Sequence, residues 1–143
     1  MSLFQSMQVS STALVAQSTR LNTVSSNLAN INSTSTPGGG PYREKSVVFR
    51  SENQHFDQQL QSSMKNPNQG VMVERIVESR DPPKEVYEPS HPQADEEGYV
   101  QKPDINLVEE MTDMQSAVRS YEANVTSIKS AQRMARQALQ IGS

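Results

Sequence analysis

The chain has 143 residues and a formal net charge of −3, from 13 basic and 16 acidic side chains. Hydrophobic residues make up 34% and aromatics 5%, with no Trp. Leu, Ile, Val and Phe reach only about a fifth of the chain, the lower edge of what a self-sufficient globule uses. A weakly acidic balance excludes a nucleic-acid footprint, no run approaches the roughly 20 apolar residues of a membrane span, and the lack of Cys excludes disulfides and thiolate zinc sites.

All eight prolines fall between Pro37 and Pro103, so both ends are free of helix breakers. The predicted class is mainly α with a small β insert: 1–32 an N-terminal helix, 33–41 a flexible joint, 42–103 a small β-rich middle domain with loops, and 104–143 a C-terminal helix. In the first segment Met7, Leu14, Leu21 and Leu28 recur every seven residues, with Val24 and Ile31 at the second seam position. The equivalents Ser10 and Gln17 are polar, which weakens the first half of the seam. Up to Tyr42 the only charged side chain is Arg20. A face of Ser, Thr, Gln and Asn packs against other chains without desolvating charge, and a segment of this composition orders on contact with a partner.

The joint STSTPGGGP (Ser33–Pro41) stops the helix. Strands are predicted at Ser46–Arg50 and Val71–Val77, with weaker ones at Glu85–Glu88 and Tyr99–Gln101. Phe56, Leu60 and Met64 suggest a short helix between the first two. In the last segment Asn106 is the expected cap. An apolar stripe follows: Leu107, Met111, Met114, Val118, Tyr121, Val125, Ile128, Ala135 and Leu139. Acids early (Glu109, Glu110, Asp113) and bases late (Lys129, Arg133, Arg136) are expected to complement the helix dipole. A rod of about 50 Å is too long to cover so small a middle domain, so the two terminal helices are expected to pair as a coiled coil, parallel or antiparallel.

No catalytic, cofactor or metal site is expected. His55 and His91 lack metal-helix spacing, and the run Asp95, Glu96, Glu97 lacks the alternating ligands of a calcium loop. PGGGP is a hinge rather than a phosphate cradle, and the sequons at Asn32 and Asn124 are of a kind that arises by chance. Terminal helices with uncharged faces around a β insert suit a subunit of a self-assembling tube.

Against that background AQSTRLNTVSSNLANIN (Ala16–Asn32) resembles the N-terminal signature of the flagellar rod and hook axial family, and RSYEANV (Arg119–Val125) resembles its C-terminal signature. The residues that carry the match are Gln17, Arg20, Leu21, Asn22, Asn27, Leu28, Ala29 and Asn30, then Arg119, Tyr121, Ala123 and Asn124. PYREKSVVF (Pro41–Phe49), GVMVERIVES (Gly70–Ser79) and YEPSHPQADEEGYVQKPDIN (Tyr87–Asn106) are similar to the short, proximal-rod members. The stretch around Ser51–Pro67 matches poorly. The resemblance implies a structural subunit of the basal-body proximal rod, located in the periplasm and exported by the flagellar type III apparatus without signal cleavage. It implies as partners copies of itself, other rod proteins and a membrane-ring adaptor on the proximal side, with no nucleic acid and no small-molecule substrate. The assembly seam would comprise Met7, Leu14, Leu21, Val24, Leu28, Ile31, Leu107, Met111, Met114, Val118, Tyr121, Val125, Ile128 and Leu139. The alternatives are another axial protein of the same family, or a coiled-coil export adaptor or chaperone, which would remain soluble in the cytoplasm.

Overall fold

The computed structural model describes residues 3–51 and 70–141. The short helix expected at Phe56–Met64 lies outside them. Helix α1 (Leu3–Ala29) is followed by strands β1 (Lys45–Ser51), β2 (Val71–Glu78), β3 (Lys84–Tyr87) and β4 (Tyr99–Lys102), and then by helix α2 (Leu107–Ile141). Each expected strand is present within one residue of its predicted limits.

Helix α1 forms from residues that are mediocre helix formers in isolation. Its hydroxyls are satisfied internally: Ser6 and Thr12 donate to the carbonyls of Leu3 and Val9, and Thr19 and Thr23 to those of Val15 and Thr19. Back-bonded hydroxyls no longer need water, so this uncharged surface can be packed. Asn30 ends the helix: its N–H and Nδ2 both donate to Ser26 O, while its own carbonyl and Oδ1 accept from Ser33. Backbone hydrogen bonds shape the segment 33–41 into a turn. Thr36 N–H donates to Gly40 O, Gly39 N–H to Thr36 O, and Tyr42 N–H closes the loop on Ser33 O. Gly39 and Gly40 adopt φ of 84° and 75°, a region that favours glycine.

Helix α2 is capped by Asn106, whose Oδ1 accepts from Val108 N–H at 3.1 Å. Asn27 bonds Glu110 and Arg20 pairs with Asp113. As the number rises on α1 it falls on α2, so the two helices run antiparallel. They do not meet along the large apolar residues. The buried apolar side chains of the two helices are Ala16, Val24, Ala117 and Ala131, and Ser10, Thr23, Asn27 and Glu110 are buried among them. A coiled-coil seam of paired heptads is therefore not what these contacts establish. Small side chains let the backbones approach closely while contributing little hydrophobic area.

The expected dipole complement at the end of α2 is corrected by the structure. The helix runs to Ile141 with no base in its last turn, and the effect fades within one turn. Lys129, Arg133 and Arg136 sit upstream on an exposed surface.

The insert consists of two separate two-stranded antiparallel sheets, β1–β2 and β3–β4. In the first, Val47 opposes Ile76 and Phe49 opposes Val73, with a bulge between Val48 and Phe49 that shifts the register. This hairpin rests on α1: Phe49, Ser51 and Val71 share a groove with Val9 and Ala13, and Val71 N–H donates to Thr12 Oγ1 at 3.2 Å. In the second, Tyr87 opposes Tyr99, their rings meeting edge to face at 5.4 Å. Val100 on β4 is buried here, with Pro103 and Ile105 on the link into α2.

Candidate assembly interface

The α2 stripe divides into two rows once α1 is in place. Met114, Val125 and Ile128 turn partly inward. Leu107, Met111, Val118, Tyr121 and Leu139 remain exposed, with Leu107 at 50%, Met111 at 58% and Leu139 at 75%. The inward line is completed by Glu110, Ala117, Ser120, Asn124 and Ala131, mostly small or polar residues invisible to an apolar count. On α1, Val24 is buried, while Met7, Leu14, Leu21 and Leu28 are half-buried, as is Ile31 in the turn that follows. Phe4 and Val15, not part of the heptad pattern, stand out at 79% and 66% exposure.

The two signature segments behave differently. In the N-terminal one, polar side chains tie the fold together. Arg20 spans to Asp113 through Nε and Nη2, with Nε at 2.9 Å from Oδ2, a fork-to-fork pair. Asn27 is fully buried and bonded on both ends of its carboxamide. Its Nδ2 donates to Lys45 O at 2.8 Å and Glu110 Oε2 at 3.0 Å, and its Oδ1 accepts from Tyr42 Oη and Lys45 N, each at 3.0 Å. Ser26 Oγ lies 3.2 Å from the same Tyr42 hydroxyl. Gln17 half-enters the helix contact, where its Oε1 is buried without a hydrogen bond. Leu21 and Leu28 flank this row, half-buried, while Asn22 and Ala29 are exposed. In the C-terminal segment Asn124 back-bonds to Ser120 O at 2.8 Å, and Arg119, Tyr121 and Ala123 face outward. The contact between α1 and α2 is thus not uncharged, as α1 alone suggests: α2 supplies the acids.

Those acids converge on a groove of about 450 Å³ between α1, β1 and α2, lined by Arg20, Glu44, Lys45, Glu109, Glu110 and Asp113 among others. Burial raises the Glu110 carboxyl above its ordinary value, with Asp113 and Glu109 adding to the effect and the Asn27 bond opposing it. Glu44 is raised as well, by burial first and then by Glu110, Glu109, Asp104 and Asp81. Among the described residues no group of three or more His, Asp or Glu side chains could hold a metal ion, and no helix is long and apolar enough to cross a membrane.

Comparison with known families places both helices. Residues 7–37 match the family "Flagella basal body rod protein", and residues 96–141 match "Flagellar basal body rod FlgEFG protein C-terminal". The full length is similar to the flagellar basal-body rod protein FlgC of Borreliella burgdorferi, at 44% identity over 99% of this chain and 98% of the relative. The chain belongs to the FlgC family of flagellar basal-body rod proteins. FlgC of Bacillus subtilis is 42% identical and FlgC of Salmonella typhimurium 40%, each over 99% of both chains. The FlgC match thus spans the middle segments as well as the two terminal signatures shared with other axial proteins.

Proposed function

We propose that this chain polymerises through its terminal helices into the hollow proximal section of the rod, the shaft that carries torque. As a member of the FlgC family it is a structural subunit of the flagellar basal-body rod. In this reading residues 1–32 and 104–143 form the inner tube as a coiled coil with neighbouring copies, 33–41 joins them to the insert, and 42–103 packs outside. The neighbours are copies of the chain, other rod proteins and a membrane-ring adaptor. The subunit reaches the periplasm through the flagellar type III export apparatus with its N-terminus uncleaved. Its role is structural and involves no cofactor or substrate.

The observation that carries the reading is the row Leu107, Met111, Val118 and Tyr121. It is left exposed on α2 although α1 already covers the other side of that helix. Large apolar residues at helical spacing on a solvent face mark a contact still to be made. Because the chain has no Cys, a single Cys placed in that row is an unambiguous probe. In isolated basal bodies Val118→Cys should form intermolecular cross-links, whereas Ala117→Cys, on the covered face, should form none. Particles containing the Val118→Cys chain without any such cross-link would overturn the proposal.

A further inference from the structure

We propose that Asn27 couples the two halves of this fold, so that the β1–β2 hairpin docks only when α2 lies against α1 in the register that brings Glu110 opposite Asn27. This does not depend on the assembly reading.

A carboxamide has two N–H donors and one oxygen with two lone pairs, and all four are used. They reach three separate segments: Tyr42 after the turn, both backbone groups of Lys45 at the start of β1, and Glu110 in α2. Asn27 is 0% exposed, so water cannot replace a lost partner. Among the described elements the hairpin packs on α1 and not on α2, and an isolated two-stranded hairpin is marginal in water. Hairpin and α2 therefore communicate through α1, and Asn27 is the side chain hydrogen-bonded to both. A one-residue slip of α2 turns Glu110 by about 100°. A slip that sets Met111 in its place would leave the Asn27 N–H without that acceptor in a site closed to water. The polar bond and the alanine contacts around it together distinguish that register from the next. A buried polar pair fixing helix register is the best-attested use of such pairs.

The test uses the full-length chain, labelled for amide NMR and titrated from urea into trimethylamine N-oxide, which populates folded states whatever the stability of the isolated subunit. The Val47 amide reports the hairpin and the Ala117 amide the helix pair. In wild type both should reach native positions at the same cosolvent concentration. Tyr42→Phe removes one Asn27 bond from the insert side, and Glu110→Ala removes one from the α2 side. If Asn27 couples them, Glu110→Ala shifts the Val47 transition together with that of Ala117. The folding constant of the double variant then departs from the product of the single effects by about fivefold or more. Glu110→Gln, which keeps an acceptor for Nδ2, should leave the two transitions coincident. Independent single effects, a Glu110→Ala chain in which only Ala117 moves, or separated transitions in wild type would each overturn the proposal.

Discussion

Glu110 sits in the first turn of α2, where a carboxylate normally faces water and the helix dipole. Here it is 8% exposed and bonded to Asn27. Its folded value lies above the ordinary 4.5, and so does that of Glu44 across the groove. A carboxyl raised on folding binds protons more readily in the folded state, so stability should increase as the pH falls through the folded value toward 4.5 and gain nothing further below it. A urea midpoint that rises on acidification from neutrality, with the rise absent in Glu110→Gln/Glu44→Gln, is the expected result. Truncation of its partner is more severe. Asn27→Ala leaves Lys45 and Glu110 without their donor and should cost about 2–4 kcal/mol by urea unfolding. At Gly98, φ is 87° and an added Cβ would lie 2.9 Å from Tyr87 Cε2 and 3.2 Å from Pro89 Cβ. Gly98→Ala should therefore loosen the β3–β4 hairpin by about 1–3 kcal/mol, read as faster proteolysis within 84–102.

At the scale of elements, Ala117 and Val118 are neighbours with opposite fates. Ala117 is 0% exposed and Val118 38%. Ala117→Asp should break the helix pair itself, because a charge would be buried without a partner. Val118→Asp should leave the circular dichroism of the isolated subunit unchanged yet abolish rod assembly and motility. Leu21→Asp, half-buried on α1, should impair both, and motile Leu21→Asp cells would exclude it from any seam. The strands were legible because β-branched runs bounded by Pro and Gly leave few alternatives, and α2 because Asn106 and the breaker-free stretch mark its extent. Which row of α2 meets α1 was not legible. Alanine and serine pack closely without entering a hydrophobic pattern, so the conspicuous Leu107, Met111 and Val118 lie outside the contact that buries Ala117. Asn27 and Glu110 were equally hidden, since their roles depend on partners 83 residues apart. The run around Asn27 marked it only as part of a family signature.

For the whole molecule, the buried Ala, Val and Ile side chains among the described residues number six, three of them alanine. So little burial leaves the isolated subunit near the margin of stability, and neighbours that bind only its ordered form would stabilise it by mass action. Circular dichroism should accordingly show less helix in the dilute subunit than in the assembled rod. A monomer already fully helical, with a cooperative melt, would count against this coupling. His91→Ala and Glu97→Gln, on the outer turn of the insert, should leave motility intact in a soft-agar assay.

The helices are also unequal in length. Helix α2 continues from Ala131, its last buried position, to Ile141, a further 15 Å or so at 1.5 Å per residue. A unit with such a step is not square-ended. In the proposed shaft, stepped units laid end to end stagger their joints as bricks do in running bond. A shearing force at any one level then meets continuous backbone from an adjoining copy, and stiffness under twist derives from overlap rather than from the strength of any single contact.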